Sequence, residues 1–127
     1  MKKLILPLVF FVMSACYYDS EEALYGTPNT VCDVTVTKFS TEIKPILQSN
    51  CLTCHSNAAA TANGGGIKLQ DYADVKTNVL NGKLVGSVEH RSGYSAMPKG
   101  GGKISDCNIL IINTWITKGT LNENNHS

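Results

Sequence analysis

Several features that would assign a function directly are missing from this 127-residue chain. Its charges almost cancel, with 11 Lys and Arg against 10 Asp and Glu, so no basic surface for nucleic acid is expected. There is no internal repeat, and no apolar run is long enough to cross a membrane as a helix. The alternation of apolar and polar residues that is typical of strands is not evident either. We therefore expect a small all-α domain.

The most informative stretch that is present reads Cys51-Leu52-Thr53-Cys54-His55. In an exported protein, C-x-x-C-H is the attachment signature of c-type haem. Two thiols at this spacing, on the last turn of a helix, can each form a thioether with one haem vinyl group. His55, the next residue, then reaches the iron from the proximal side. Because the chain has no second C-x-x-C-H, we expect one covalent haem c.

A second iron ligand is expected downstream, since cytochromes c hold the other face of the iron with a Met thioether that raises the reduction potential. Met1 and Met13 lie in a predicted leader, which leaves Met97 as the candidate. Pro98 favours extended backbone at Met97, and the glycines at 100–102 let this loop bend around a bulky ring. His90 is the rival ligand, because it is close in sequence and imidazole binds haem iron well.

The N-terminal residues have the pattern of a secretory signal peptide over 1–15: two lysines, a short apolar run and the small residues Ser14 and Ala15. The cysteine that follows, Cys16, resembles the lipidated first residue of a mature bacterial lipoprotein. Ordinary cleavage that leaves Cys16 as a stray thiol is the alternative. We therefore expect an exported protein in the periplasm or at the cell surface, held by lipid to the outer membrane of a Gram-negative bacterium.

The remaining cysteines, Cys32 and Cys107, are expected to form a disulfide, which export permits. Cys32 precedes the first helical segment and Cys107 begins the last, so the bridge would join two elements that pack around the cofactor. Two separate buried thiols are the alternative. Between the leader and the last residues we expect a tether over 16–31, a domain over 32–121 and a disordered tail over 122–127.

Apolar residues at intervals of three and four predict three main helices. The first runs from about Phe39 to Cys51, with Ser40 or Thr41 as its cap. A loop is expected over 56–66, and a helix capped by Asp71 then presents one apolar side, formed by Tyr72, Val75, Val79 and Leu80. Residues 83–96 are expected to be mostly irregular. The last helix begins after Ser105 or Asp106 and ends at Lys118-Gly119, with Trp115 in the core.

In this order, the segments resemble a class I cytochrome c domain of the planctomycete type, which is common also in lipoproteins of the Bacteroidetes. The residues that carry the resemblance are Phe39, Ile43-Lys44-Pro45-Ile46-Leu47, Cys51 to His55, Leu69-Gln70-Asp71-Tyr72, Met97-Pro98, Ile104-Ser105 and Trp115-Ile116 with Gly119. The resemblance implies three to four helices around one haem. By this match, Cys51 and Cys54 are the thioether sites, and His55 and Met97 are the iron ligands.

We expect this protein to carry single electrons between redox partners as a membrane-tethered monohaem cytochrome, and not to be an enzyme. A peroxidase-like subunit, or a haem-bearing structural or sensory module of a larger surface complex, is the alternative. Zinc is disfavoured because Cys51, Cys54 and His55 lack a second closely spaced pair of ligands. A thioredoxin-like dithiol is disfavoured because the motif follows a helical pattern and no strand alternation is evident.

Positive residues flank the predicted Met97 loop, and only one acidic residue, Glu89, lies among them. The four are Lys83, Arg91, Lys99 and Lys103. A positive rim at an exposed haem edge would steer an acidic redox partner, whereas four ordinary solvated side chains are the alternative.

Overall fold

The computed structural model describes residues 32–122, in which every regular element is helical. A π-helical turn, Phe39–Ile43, comes first. Six α-helices follow: α1 Lys44–Asn50, α2 Leu52–His55, α3 Ala60–Asn63, α4 Tyr72–Leu80, α5 Lys83–Val88 and α6 Asp106–Thr117. The predicted all-α class is therefore confirmed for this part of the chain. The predicted signal peptide, Cys16, the predicted tether and positions 123–127 of the predicted tail lie outside the described residues, so these features stay predictions.

None of the helices within 32–122 has the length and apolarity that crossing a lipid bilayer requires.

The first helical segment begins with the π-helical turn and runs directly into α1. Ile43 is fully buried and Leu47, one turn later, is 1% exposed, which gives this segment its inward face. The predicted caps, Ser40 and Thr41, are not used. Instead, the side chain of Glu42 accepts a hydrogen bond of 2.7 Å from the backbone N–H of Lys38, which satisfies a free donor at the start of the segment.

Three aromatic side chains bring the first segment, α4 and α6 together. Ring centroids are 5.4 Å apart for Phe39 and Tyr72, 6.1 Å for Phe39 and Trp115, and 6.4 Å for Tyr72 and Trp115. Trp115 is completely buried, as predicted, and its indole N–H donates to the carbonyl oxygen of Leu121 at 2.9 Å. This hydrogen bond satisfies the polar atom of a buried indole and holds the chain after α6 against the core.

Cys32 and Cys107 form a disulfide, the pairing that the sequence predicts. Their sulfur atoms are 1.97 Å apart and their Cα atoms 5.5 Å apart, across a sequence separation of 75. The bridge ties the segment before the π-helical turn to the first turn of α6. In the chain-entropy account, closing so long a loop stabilises the fold by about 4 kcal/mol.

Two segments are more helical than the sequence predicts, which is why the fold has more than the expected three to four helices. The region 83–96 was expected to be irregular, yet it contains α5, whose Leu84 and Val88 are buried one turn apart. The expected loop over 56–66 contains the single turn α3, rich in alanine, the best helix former. Elements of four to six residues are too short for apolar periodicity to reveal.

Two leucines in the helices are exposed, and one of them, Leu80, was expected on the apolar side of its helix. Leu80 in α4 is 77% exposed and Leu110 in α6 is 48% exposed. Each follows an inward-facing residue, Val79 or Ile109, and one step along an α-helix turns the side chain by about 100°. The apolar stripe of each helix is therefore narrower than its composition predicts.

Candidate functional site

A cavity of about 540 Å³ lies beside the C-x-x-C-H motif. Its volume falls in the range of about 300–1,000 Å³ that is usual for small-molecule and cofactor sites. Five parts of the chain supply its walls: the motif itself, the segment 63–69, helix α4, helix α5 and the loop before α6. The branched aliphatic side chains that line it are Ile67, Leu69, Leu84, Val88 and Ile104. Such a lining suits a large and mostly apolar ligand.

Both motif cysteines line this cavity, and both are free thiols. The N–H groups of Cys54 and His55 donate to the Cys51 carbonyl oxygen at 3.1 and 2.9 Å, which winds the motif into one turn at the end of the first helical segment. Burial raises the pKa of the Cys51 thiol to about 11, so this thiol stays protonated near neutral pH. Cys54 is exposed.

The His55 side chain is buried at the cavity wall and is oriented by a backbone carbonyl. Its Nδ1 lies 2.9 Å from the carbonyl oxygen of Ile67. Because a carbonyl only accepts, this contact places the proton on Nδ1 and leaves the lone pair of Nε2 free. Histidines that bind metals usually have their second ring nitrogen held in this way. His55 is therefore prepared to bind a metal through Nε2.

The backbone around His55 leaves little spare room. The His55 carbonyl oxygen accepts from the N–H of Leu69 at 2.9 Å, which fixes the end of α2 to the segment 63–69. Gly64 lies so close that a Cβ there would come within 2.8 Å of His55 Nδ1 and 2.6 Å of the Cys54 carbonyl oxygen. The loop after α3 can approach His55 this closely only because residue 64 has no side chain.

Met97 lines the cavity, whereas His90 does not. The N–H of Met97 donates to the Ser87 carbonyl oxygen at 3.1 Å, at the end of α5. His90 Nε2 lies 3.0 Å from the Met97 carbonyl oxygen, so this ring nitrogen is engaged by the loop backbone. The structure thus brings Met97 to the same cavity as His55, although the two are distant in sequence, and gives His90 a different contact.

The predicted positive rim is only partly assembled. Lys83 and Lys99 line the cavity, and Lys99 Nζ donates to the Ser95 hydroxyl at 3.1 Å. Arg91 instead forms an ion pair with Glu89. A hydrogen bond from the side chain of Asn113, at 2.7 Å, is the main reason that the pKa of Glu89 lies below its ordinary value. Lys103 is not a lining residue.

One polar residue at the cavity, Asn78 in α4, was not predicted from the sequence. It is 9% exposed and lines the cavity, and its side-chain amide donates to the Asp74 carbonyl oxygen at 2.9 Å and to that of Lys68 at 3.4 Å. A single Asn within a helical pattern carries no signal that separates a cavity residue from a solvated one. Its position depends on how α4 packs, which local sequence does not reveal.

Over residues 32–122, no three His, Cys, Asp or Glu side chains converge as a metal ion coordinated by the protein alone would require. Cys107 is in the disulfide, so it cannot complete a zinc site with the motif. The cavity instead combines a large apolar volume, two free thiols, one prepared imidazole and one thioether. This set of donors fits a covalently held haem.

No protein-family model matches this chain, and comparisons with characterised proteins and with solved structures return no match.

Proposed function

We propose that this protein is a monohaem c-type cytochrome that carries single electrons between redox partners. One observation supports this most strongly: Cys51, Cys54, His55 and Met97 all line one cavity of about 540 Å³. A C-x-x-C-H run can arise by chance. Here, however, its two thiols and its imidazole border an apolar cavity, and a Met that is distant in sequence lines the same cavity. Covalent attachment of haem and binding of its iron need this arrangement.

The roles of the residues follow from their chemistry. Cys51 and Cys54 would each hold the haem covalently, through a thioether between the cysteine sulfur and a haem vinyl carbon. His55 Nε2 and the Met97 thioether would be the two side-chain ligands of the iron. When bound, the haem supplies an iron centre that changes its oxidation state by one electron.

The cavity lining supports a carrier in preference to a peroxidase-like enzyme. Among the described residues that line the cavity there is no Asp or Glu, and His55 is the one imidazole. Cleaving a peroxide bond calls for an acid-base group beside an open iron position. With the Met97 thioether at the cavity and no such group beside it, electron transfer is the chemistry that these residues favour.

The thiol chemistry argues against a thioredoxin-like dithiol. Catalytic cysteines of that kind have lowered pKa values, because the thiolate is the nucleophile. Burial does the opposite here and raises the pKa of Cys51 to about 11. A protonated, partly buried thiol at a cavity wall suits a permanent thioether better than reversible disulfide exchange.

The setting of the carrier is also part of the proposal. Lipid on Cys16 would tether the domain to the outer membrane of a Gram-negative bacterium, with residues 16–31 as a spacer. Lys83 and Lys99 at the cavity would then attract an acidic redox partner. No nucleic acid partner is proposed, since the net charge is only +1.

Expression in a bacterium with c-type maturation machinery tests the proposal. We expect a pyridine haemochrome spectrum of the c type, and haem stain that stays with the protein on a denaturing gel. The matched control is the Cys51→Ser/Cys54→Ser double variant, which should lose the stain. A colourless wild-type protein, from a host whose own control cytochrome matures normally, would contradict the proposal.

The Met97→Ala variant tests the second iron ligand separately. In the oxidised haem protein we expect it to abolish the thioether-to-iron charge-transfer band and to lower the reduction potential. A spectrum and potential equal to those of the wild-type protein would eliminate Met97 as a ligand while leaving covalent haem attachment intact.

A further inference from the structure

The backbone of Met97 is held at both of its polar atoms by residues at and just after the end of α5. Its N–H donates to the Ser87 carbonyl oxygen at 3.1 Å, and His90 Nε2 lies 3.0 Å from its carbonyl oxygen. Because a carbonyl only accepts, His90 Nε2 must carry the proton of this hydrogen bond. The imidazole therefore connects the end of α5 to Met97, which lines the cavity.

His90 occupies a backbone position that usually belongs to glycine. Its φ is 56°, in the left-handed region, where it ends α5. The N–H of the following residue, Arg91, bonds back to the Gly86 carbonyl oxygen at 2.8 Å, as in a Schellman motif. A residue with a Cβ costs more than glycine in this conformation. Strain kept at such a position points to a role for the side chain.

We propose that His90 is a positioning residue for Met97: its imidazole fixes the backbone of the loop so that the thioether points into the cavity and reaches the iron. This inference rests on the proposed function. His90 does not line the cavity, and it acts only through the Met97 carbonyl. Without the imidazole, the Met97 backbone keeps only the hydrogen bond to Ser87, and the thioether is released more often.

Imidazole binding to the oxidised, full-length haem protein measures that release, because added imidazole competes with Met97 for the iron. The matched pair is His90→Leu and His90→Gln, which share the left-handed strain but differ in that only Gln offers a side-chain N–H. A typical hydrogen bond changes a local equilibrium about fivefold. We expect His90→Leu to bind imidazole about fivefold more tightly than wild type, with a weaker charge-transfer band, and His90→Gln to restore much of both.

A third variant, His90→Gly, removes the imidazole and relieves the strain, so it serves if His90→Leu does not fold. It should also bind imidazole more tightly than wild type. The inference is overturned if His90→Gly and His90→Leu both match wild type in affinity and band while Met97→Ala loses the band. It is equally overturned if the wild-type band is absent and appears only when His90 is replaced, because His90 is then the ligand. A wild-type protein without covalent haem would overturn the proposed function together with it.

Discussion

Replacing Gly64 with Ala is the sharpest test of how α2 and the loop after α3 pack. Gly64 has a φ of −105°, outside the left-handed region, so alanine there avoids the strain of a positive φ. The new methyl group would instead lie 2.6 Å from the Cys54 carbonyl oxygen and 2.8 Å from His55 Nδ1, closer than the 3.0 Å below which real Cβ contacts essentially do not occur. Both atoms belong to the motif, and the carbonyl is backbone that cannot swing aside.

Relieving this contact requires α2 and the loop to separate by several tenths of an ångström. Overpacking of this kind costs about 1–3 kcal/mol. For a domain of this size, that lowers the melting temperature by roughly 5–20 °C. The His55 ring should be pushed off the Ile67 carbonyl oxygen as well, which weakens the orientation of Nε2. Thermal unfolding of the purified full-length protein, followed by circular dichroism, measures the fall in melting temperature. The yield of covalent haem measures the weaker orientation of His55.

Gly102→Ala is the matched control, because no heavy atom lies within 4 Å of a Cβ at Gly102 and its φ is not in the left-handed region. We expect this variant to unfold within about 0.5 kcal/mol of wild type. If Gly64→Ala is as stable as Gly102→Ala, Gly64 does not lie as close to the Cys54 carbonyl oxygen and the His55 ring as described. The explanation of how His55 is oriented would then be wrong as well.

Three further outcomes are expected. The pKa of Glu89 is lowered in the folded protein, so its stabilisation is present above the ordinary pKa of 4.5 and is lost as the pH falls through the lowered value. Glu89→Gln should therefore flatten the fall in stability as the pH drops below 4.5, measured by urea titrations. An unaltered fall in stability would contradict this. Trp115→Phe removes the donor to the Leu121 carbonyl oxygen and should lower the unfolding free energy by about 1–3 kcal/mol. In urea unfolding, the midpoint should fall while the dependence of the free energy on urea concentration stays the same. An unchanged midpoint would show that this hydrogen bond contributes little. Replacing both Lys83 and Lys99 by Gln should slow electron exchange with an acidic partner at low salt and weaken the salt dependence of its rate, measured by stopped flow. Unaltered rates would contradict electrostatic steering by these two residues.

Features that depend on long periodic patterns were predicted well from the sequence. The final helix was expected to begin after a cap at Ser105 or Asp106 and to end at Lys118-Gly119. Helix α6 covers Asp106–Thr117, and the Ser105 hydroxyl accepts from the Asn108 N–H at 3.2 Å. The pairing of Cys32 with Cys107 was predicted because these two cysteines remain once the other three are assigned to lipid and haem. The apolar spacing of a twelve-residue helix and the number of cysteines can both be read directly from a sequence.

Features that depend on short elements and tertiary packing could not be predicted in this way. Helix α5 has six residues, and only packing reveals that its Leu84 and Val88 line the cavity. The motif predicts iron binding by His55, but not that the Ile67 carbonyl oxygen lies against its ring or that Gly64 packs beside it. The sequence left His90 as a rival to Met97. Met97 lines the cavity and His90 does not, and iron binding by Met97 stays a prediction.

The attachment of haem to both motif cysteines is the central claim, and mass spectrometry of the protein after digestion tests it most directly. The protein should come from a bacterium that matures c-type cytochromes. We expect one haem per chain, carried by the peptide that contains Cys51 and Cys54, with neither thiol open to alkylation. Recovery of this peptide without haem and with both thiols alkylated, from a host whose control cytochrome is fully loaded, would contradict this claim.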